Sequence, residues 1–268
     1  MPTVTIEVAN IRINIISDIS GLINRFKEMY YHFVIADPSN AHVTLEIKSM
    51  NMEQFIHHES LPFDHSRDFI KTNYIYSAAY NPVEKKAVLL TNLKNLYPFS
   101  EDYLLNLFTY VCLEHNKLLF HSSVLYDDNN NAYIFYGPSG IGKSTFARNS
   151  SGYEVLSDDL VIIETQTEHL FKLYKTPFER NKKQHIPLTD FNVKGFFRLN
   201  HAPTLKIKKL NASEKIAMIL GNIWNLDFSE ATQQRYIDLI STNFKTVPGY
   251  HLLLANSTNL SEFISLLS

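Results

Sequence analysis

Eight consecutive residues have the types and the spacing that bind a phosphate group. Residues 137–144 read Gly-Pro-Ser-Gly-Ile-Gly-Lys-Ser and match the pattern G-x-x-x-x-G-K-[ST]. The glycines allow consecutive backbone N–H groups to turn toward one anion. Lys143 can reach the β- and γ-phosphates of a nucleotide, and the Ser144 hydroxyl can bind Mg²⁺. The residues expected to bind ATP are Gly137, Pro138, Ser139, Gly140, Ile141, Gly142, Lys143, Ser144 and Thr145.

The segments on either side of the loop supply the context that this motif requires. Residues 133–136 are typical of a strand that enters the loop, and a helix can begin at Lys143 and run to Asn149. A chance match in a loop of glycine and serine is the alternative interpretation. Three of the eight glycines in the chain lie in this loop, and the strand–loop–helix order favours a nucleotide site.

Two adjacent carboxylates follow the loop. Asp158 comes 15 residues after Lys143, and Asp159 immediately precedes the apolar run 160–163. Adjacent side chains of an extended backbone point to opposite faces, so the two carboxylates are expected to have different roles. One is expected to bind Mg²⁺ together with Ser144, and the other to accept a proton from a substrate hydroxyl or to hold a neighbour by hydrogen bonds. Which aspartate has which role stays open, and an acidic surface turn is the alternative.

A predicted hairpin brings a histidine to the same place. Residues 118–126 and 132–136 are expected to pair across the turn 127–131, which is rich in Asp and Asn. Tyr126 then lies opposite Ala132, and counting back places His121 opposite Gly137, give or take one residue. His121 would lie at the sheet edge where the phosphates bind. A catalytic role and a structural role both stay open for it.

Composition limits the class of protein. The chain has 268 residues, 45% of them hydrophobic, a net charge of −2 and a pI of about 6.6. Such a balance provides no basic surface for nucleic acid or for an anionic membrane. No apolar run approaches the roughly 20 residues of a membrane span, and the N-terminus does not resemble a signal peptide. With Cys112 as the single cysteine, no internal disulfide is possible, and a cytoplasmic protein is expected.

The chain is predicted to contain two parts. Residues 1–115 are expected to form a smaller N-terminal α+β module that docks a substrate or partner, and residues 116–268 to form the catalytic domain. The first part is predicted to end in a helix over 99–115, with Ser100 as its N-cap. In the second part, Asn211 and Glu214 have the spacing of a capping box for a helix over 212–225.

Three segments of the second part resemble the HPr serine kinase-like family, which is related to phosphoenolpyruvate carboxykinases. They are Leu-Phe-His-Ser-Ser at 119–123, Tyr-Gly-Pro-Ser-Gly-Ile-Gly-Lys-Ser-Thr at 136–145, and Leu-Ser-Asp-Asp-Leu-Val at 156–161. Weaker similarity extends to about residue 225 and includes 175–178, 197–199 and 210–216. Within the family, the chain is most similar to the stand-alone kinases of peptide natural product biosynthesis, including those that act on lasso peptides.

The resemblance implies an α/β fold, with a P-loop kinase domain of the HPr kinase/phosphoenolpyruvate carboxykinase-like type over 116–268. It implies that the loop binds ATP and Mg²⁺, that Asp158 and Asp159 supply the base and a metal ligand, and that His121 lies beside them and helps the proton leave. The Glu-x-Arg-Gly-x-Gly segment of the bifunctional kinase/phosphorylases is absent, and residues 179–181 match it only in part. Neither reverse phosphorylase activity nor HPr as the acceptor is therefore expected.

The leading interpretation is an ATP-dependent kinase that acts on a Ser or Thr hydroxyl of a peptide or small protein. Cationic side chains of Arg180, Lys182 or Lys183 can contact the transferred phosphate, although an ordinary solvated loop is the default interpretation there. Two other functions stay open. One is a small-molecule kinase for an amino acid, sugar or nucleoside, and the other is a nucleotide-binding regulator or assembly partner with little catalysis. A homo-oligomer is compatible with each of them.

Overall fold

The computed structural model describes residues 1–49, 69–72, 76–92, 94, 96–179, 190–223, 230–254 and 263–264. The cluster of Arg180, Lys182 and Lys183 lies outside these residues. The described part is a mixed α/β structure with two β-sheets and five α-helices. The chain divides into two compact units, Met1–Val111 and Cys112–Ser268. None of the helices in the described ranges has both the length and the apolar character needed to cross a bilayer.

The first unit contains one seven-stranded sheet in the order β3-β1-β2-β4-β7-β6-β5. Its elements are β1 (Thr3–Val8), β2 (Ile11–Ser17), α1 (Ser20–Met29), β3 (Val34–Ile35), β4 (Val43–Ser49), β5 (Phe69–Thr72), β6 (Tyr76–Asn81), β7 (Lys86–Thr91) and α2 (Leu96–Glu114). Strand β2 alternates buried and half-buried side chains, as expected of a strand with one face on a core. In its described residues, the first unit combines one β-sheet with two α-helices.

Helix α2 begins earlier than its sequence predicts, and the predicted cap is wrong. The helix starts at Leu96 rather than at residue 99. Ser100 lies inside it, where its hydroxyl donates to the carbonyl oxygen of Leu96 at 2.5 Å. Pro98 is compatible with this early start, because proline is tolerated in the first turn of a helix, where backbone N–H groups have no helical partner.

The second unit contains the loop with the phosphate-binding motif, residues 137–144, called the phosphate-binding loop below. Its elements are β8 (Lys117–Tyr126), β9 (Asn131–Tyr136), α3 (Lys143–Asn149), β10 (Glu154–Ser157), β11 (Leu160–Thr165), β12 (Leu170–Lys175), β13 (Asp190–His201), β14 (Lys206–Lys209), α4 (Ala212–Leu220), α5 (Glu230–Asn243) and β15 (Gly249–Leu254). The capping box at the start of α4 is confirmed, since Asn211 and Glu214 bind each other's backbone N–H groups. The helix ends at Leu220, before Gly221, instead of at the predicted residue 225.

Strand pairing in the second unit closes on itself. Strand β8 pairs with β9 and β11, β11 pairs with β12, and both β12 and β9 pair with β13. One cluster of apolar side chains joins these strands to α4 and α5. A second cluster, formed by other side chains of the same sheet, includes residues of α3. Strands β9, β13 and β15 are parallel, so their carboxyl ends lie at one edge of the sheet. Where parallel strands lead into loops and helices, the carboxyl ends of the strands are a common place for ligands.

Candidate active site at the phosphate-binding loop

The hairpin of β8 and β9 has the predicted register. Tyr126 pairs with Ala132, and Ser122 pairs with Tyr136. The same register, continued by one position, places His121 opposite Gly137, the first residue of the loop. On its other edge, β8 places His121 opposite Leu160 of β11. The side chain of Asn222 donates to the carbonyl oxygen of His121 at 2.6 Å. Two strands, β9 and β11, and the side chain of Asn222 therefore hold the backbone around this histidine.

Two glycines of the loop occupy positions that other residues would strain. Gly142 immediately precedes α3 and has a φ of +92°. Gly137 has a φ of +146°, and a Cβ atom there would lie 3.0 Å from the carbonyl oxygen of Leu199 on β13. Residues other than glycine rarely adopt such backbone angles. The strand–loop–helix order is confirmed, because β9 enters the loop and α3 spans Lys143–Asn149.

The loop encloses its own lysine. Lys143 is buried, and its ammonium group donates to the carbonyl oxygens of Gly137 at 2.9 Å and Pro138 at 3.3 Å. Burial lowers the pKa of Lys143, and the negative charge of Asp159 partly opposes that effect. The positive charge is thus held at the centre of the loop, where an anionic ligand would gain most from it.

The two aspartates lie between β10 and β11, which follow one another along the same edge of β8. The carbonyl oxygen of Asp159 accepts from the backbone N–H of Ser122 at 2.9 Å. The carbonyl oxygen of Asp158 accepts from the hydroxyl of Ser123 at 3.2 Å and from that of Ser144 at 3.4 Å. These bonds attach the acidic segment to the hairpin on one side and to the first turn of α3 on the other.

His121 and Asp159 form a direct contact. The Nε2 atom of His121 lies 3.1 Å from Oδ1 of Asp159, and their side chains are 21% and 35% exposed. An imidazole N–H that donates to one oxygen of a carboxylate fixes the orientation of that carboxylate. The other carboxylate oxygen remains available. The pair is therefore both oriented and accessible to a ligand.

These groups surround one cavity of about 330 Å³. The residues that line it are His121, Ser139, Gly140, Gly142, Lys143, Ser144, Thr145, Arg148, Asp158 and Asp159. Three residues expected to bind ATP do not line it. Gly137 and Pro138 instead provide the carbonyl oxygens that bind Lys143, and Ile141 packs against the apolar cluster beneath α3.

Arg148, which the sequence patterns do not single out, is also part of the cavity wall. Its Nε atom donates to the carbonyl oxygen of Ser144 at 3.1 Å. Helical spacing is the signal that could have identified it, because residues four apart lie on the same face of a helix. Arg148 is the second cation of the cavity, after Lys143.

A smaller cavity of about 120 Å³ adjoins the first, and Ser144, Arg148 and Asp158 line both. Lys175 and Glu179 line only the smaller one. Glu179 is buried, one of its oxygens has no hydrogen-bond partner in the described chain, and the ammonium of Lys175 lies 3.7 Å away. Burial raises the pKa of Glu179 to about 8, helped by the charges of the two aspartates and opposed by Ser157 and Lys175. Glu179 is therefore expected to be largely protonated near neutral pH.

This raised pKa predicts a specific dependence of stability on pH. The unfolded carboxyl group ionises above its ordinary pKa of 4.5, whereas the folded one stays protonated up to about 8. The free energy of unfolding should therefore fall as pH rises between these values, by roughly 2.7 kcal/mol over two pH units. Glu179→Gln should remove this dependence, so the variant should gain stability over the natural chain as pH increases.

Urea unfolding at a series of pH values measures this effect. Glu168→Gln, a change at an exposed glutamate, is the control for the loss of one charge. A stability difference between Glu179→Gln and the natural chain that stays constant from about pH 5 to 8 would contradict the prediction.

The cavity lining includes side chains of the types that bind Mg²⁺. Hydroxyl and carboxylate oxygens are the ligands that Mg²⁺ prefers, and Ser144, Asp158 and Asp159 provide them on one wall. Within the described ranges, no group of three or more His, Cys, Asp or Glu side chains could hold a metal ion alone. A nucleotide-bound Mg²⁺ does not need such a group, because one or two carboxylates and the phosphates suffice.

Comparison with known proteins does not extend the assignment. No protein-family model matches the chain, and no curated protein sequence matches it. The resemblance to HPr serine kinase-like proteins therefore stays a prediction from the three segments that carry it.

Proposed function

We propose that the chain is an ATP-dependent kinase that transfers the γ-phosphoryl group to a hydroxyl group, in a P-loop domain of the HPr kinase-like type. One observation carries the proposal. A single cavity contains the lysine and serine of the loop, both aspartates, and a histidine in contact with Asp159. The preferred acceptor is a Ser or Thr side chain of a peptide or small protein. A cytoplasmic location, where ATP and Mg²⁺ are abundant, belongs to the same proposal.

The loop would bind and orient ATP. Lys143 is already directed into the loop by two carbonyl oxygens, and it can exchange these for phosphate oxygens without leaving the cavity. Arg148 faces the same cavity and can compensate charge on the transferred group. Mg²⁺ would be held by Ser144 and Asp158, and when bound it would neutralise charge on the phosphates.

Asp159 is the proposed proton acceptor. The hydroxyl oxygen of the substrate forms a bond to the γ-phosphorus. The bond from that phosphorus to the β–γ bridging oxygen breaks, and ADP leaves. The hydroxyl proton passes to the Asp159 oxygen that does not face His121. His121 keeps the carboxylate oriented through its contact at Oδ1, which makes it a positioning residue in this mechanism.

Transfer from ATP labelled in the γ-phosphate tests the proposal directly. The full chain, with Mg²⁺, is incubated with a library of Ser- and Thr-containing peptides, with matched peptides that carry Ala instead, and with free serine, sugars and nucleosides. We expect a gain of one phosphate on a peptide hydroxyl and none on the Ala controls. Label on a metabolite alone would identify a small-molecule kinase. Tight ATP binding without transfer to any acceptor would contradict a kinase and favour a nucleotide-binding regulator.

A further inference from the structure

A row of polar side chains crosses the second sheet directly behind the phosphate-binding loop. Ser122 pairs with Tyr136, Tyr136 with Arg198, and Arg198 with His251, on the successive strands β8, β9, β13 and β15. Residues that are directly paired on neighbouring strands project from the same face of a sheet. These four side chains, called the polar row below, therefore lie side by side. Tyr136 immediately precedes Gly137, the first residue of the loop.

The polar row belongs to the other face of the sheet from the candidate active site. Phe120 and Val124, which alternate with Ser122 along β8, belong to the apolar cluster of α4 and α5. Leu125 belongs to the cluster that packs with α3, the helix of the loop. The row is therefore separate from the cavity that contains Lys143, although both lie near the carboxyl end of β9.

Three groups of the polar row are buried without a hydrogen bond. The hydroxyl oxygens of Ser122 and Tyr136 and the Nε2 atom of His251 have no partner among the residues that the structure describes. Ser122 and Tyr136 are fully buried as residues. Asn200, two residues after Arg198, adds an amide oxygen in the same condition. Unpaired buried polar groups are unfavourable, and such a concentration of them needs an explanation.

The charge around these groups is positive. Arg198 is half-buried, and no described residue forms an ion pair or hydrogen bond with its guanidinium. Burial raises the pKa of Tyr136, and the positive charge of Arg198 opposes that effect. Burial lowers the pKa of His251, and the positive charges of Arg198 and Lys208 lower it further. Lys208 pairs with His251 in register, but it already binds Glu214 at 2.8 Å. Arg198 is thus the cation of the row that lacks a counter-ion in the described chain.

We infer that the polar row is a second anion-binding site, which takes the oxyanion of a phosphate or carboxylate group. The Tyr136 hydroxyl and an N–H of neutral His251, on the two strands that flank Arg198, can each donate one hydrogen bond. The guanidinium of Arg198 can donate two parallel bonds and supplies the opposite charge. Asn200 can present its amide N–H₂ to the same ligand by rotation of its side chain. An oxyanion held by Arg198 would satisfy the unpaired donors of Tyr136 and His251.

Titration calorimetry with inorganic phosphate tests this inference without any assay of phosphate transfer. Arg198→Gln removes the charge of the row. Lys194→Gln removes a charge from a half-buried side chain on the same strand, at a bulge outside the row, and is the matched control. Both variants keep the phosphate-binding loop, so its contribution cancels in the comparison. We expect Arg198→Gln to weaken phosphate binding behind the loop by at least about tenfold, because it removes a charge-assisted bidentate contact. Lys194→Gln should bind as the natural chain does.

Tyr136→Phe is the second test, and it does not depend on the loss of a charge. It removes one unpaired hydroxyl from a fully buried ring. Without phosphate, this variant should be at least as resistant to heat as the natural chain, because nothing is left unpaired in its place. With phosphate, it should gain less resistance to heat. A purely structural tyrosine would not change that gain.

The inference fails if Arg198→Gln and Lys194→Gln bind phosphate equally. It also fails if the natural chain binds phosphate at one site only and Lys143→Ala abolishes that binding, because the loop would then be the sole anion site. A parallel titration with acetate distinguishes the source of the oxyanion. Binding of acetate that Arg198→Gln abolishes would assign the row to carboxylates, and binding of phosphate alone would assign it to phosphates.

Discussion

Lys143→Ala is expected to abolish transfer of γ-phosphate from ATP, with a fall in rate of at least about a thousandfold. The ammonium of Lys143 is buried at the centre of the loop, and the substitution leaves the phosphates without their main positive partner. A buried charge of this kind contributes far more than one on an exposed surface. Transfer of labelled phosphate to the best acceptor peptide is the measurement.

The controls separate loss of catalysis from loss of fold. Lys172→Ala removes a half-buried lysine on β12 that does not line the cavity, and it should leave the rate of transfer unchanged. Lys143→Arg keeps the charge but changes the donor geometry, so it should restore only part of the rate. Circular dichroism and thermal unfolding show whether each variant is folded. Undiminished transfer by a folded Lys143→Ala variant would rule out the proposed role of the loop.

The hairpin and the loop could be predicted because local patterns determine them. The turn between Tyr126 and Ala132 fixes the register of β8 against β9, and that register alone places His121 beside the loop. The capping box at Asn211 is also local, and the structure confirms it. In each case the interacting residues are close in sequence, so the pattern contains the necessary information.

Features that depend on distant segments could not be predicted. Glu179 reaches the neighbourhood of Asp158 only because β12 pairs with β11, and nothing in residues 170–179 indicates that pairing. The polar row likewise requires four strands in register, with β15 placed against β13. The predicted N-cap at Ser100 is wrong for a different reason, because a local pattern was present but misleading. A serine before an apolar helical stripe resembles an N-cap, but here its hydroxyl bonds back to a carbonyl four residues earlier.

The sequence left open which aspartate is the base, and the geometry makes the roles testable. Asp159 contacts His121, whereas the backbone of Asp158 is bonded to the hydroxyl of Ser144. Asp159→Asn should therefore lower kcat by about a hundredfold to ten-thousandfold at every Mg²⁺ concentration, because an amide cannot accept the hydroxyl proton. Asp158→Asn should instead raise the Mg²⁺ concentration needed for half-maximal rate, and substitution of both should abolish turnover.

Rates of phosphate transfer measured over a range of Mg²⁺ concentrations distinguish these effects. The amide is nearly isosteric with the carboxylate, so both variants should fold, and the His121 contact can persist in Asp159→Asn as a neutral hydrogen bond. If the Mg²⁺ dependence shifts in Asp159→Asn and the limiting rate falls in Asp158→Asn, the two roles are exchanged. If the folded double variant transfers phosphate at the natural rate, neither carboxylate takes part in the transfer. The role of Asp159 as the base thus depends on a single contact, the 3.1 Å between Nε2 of His121 and Oδ1 of Asp159, because this contact orients its carboxylate.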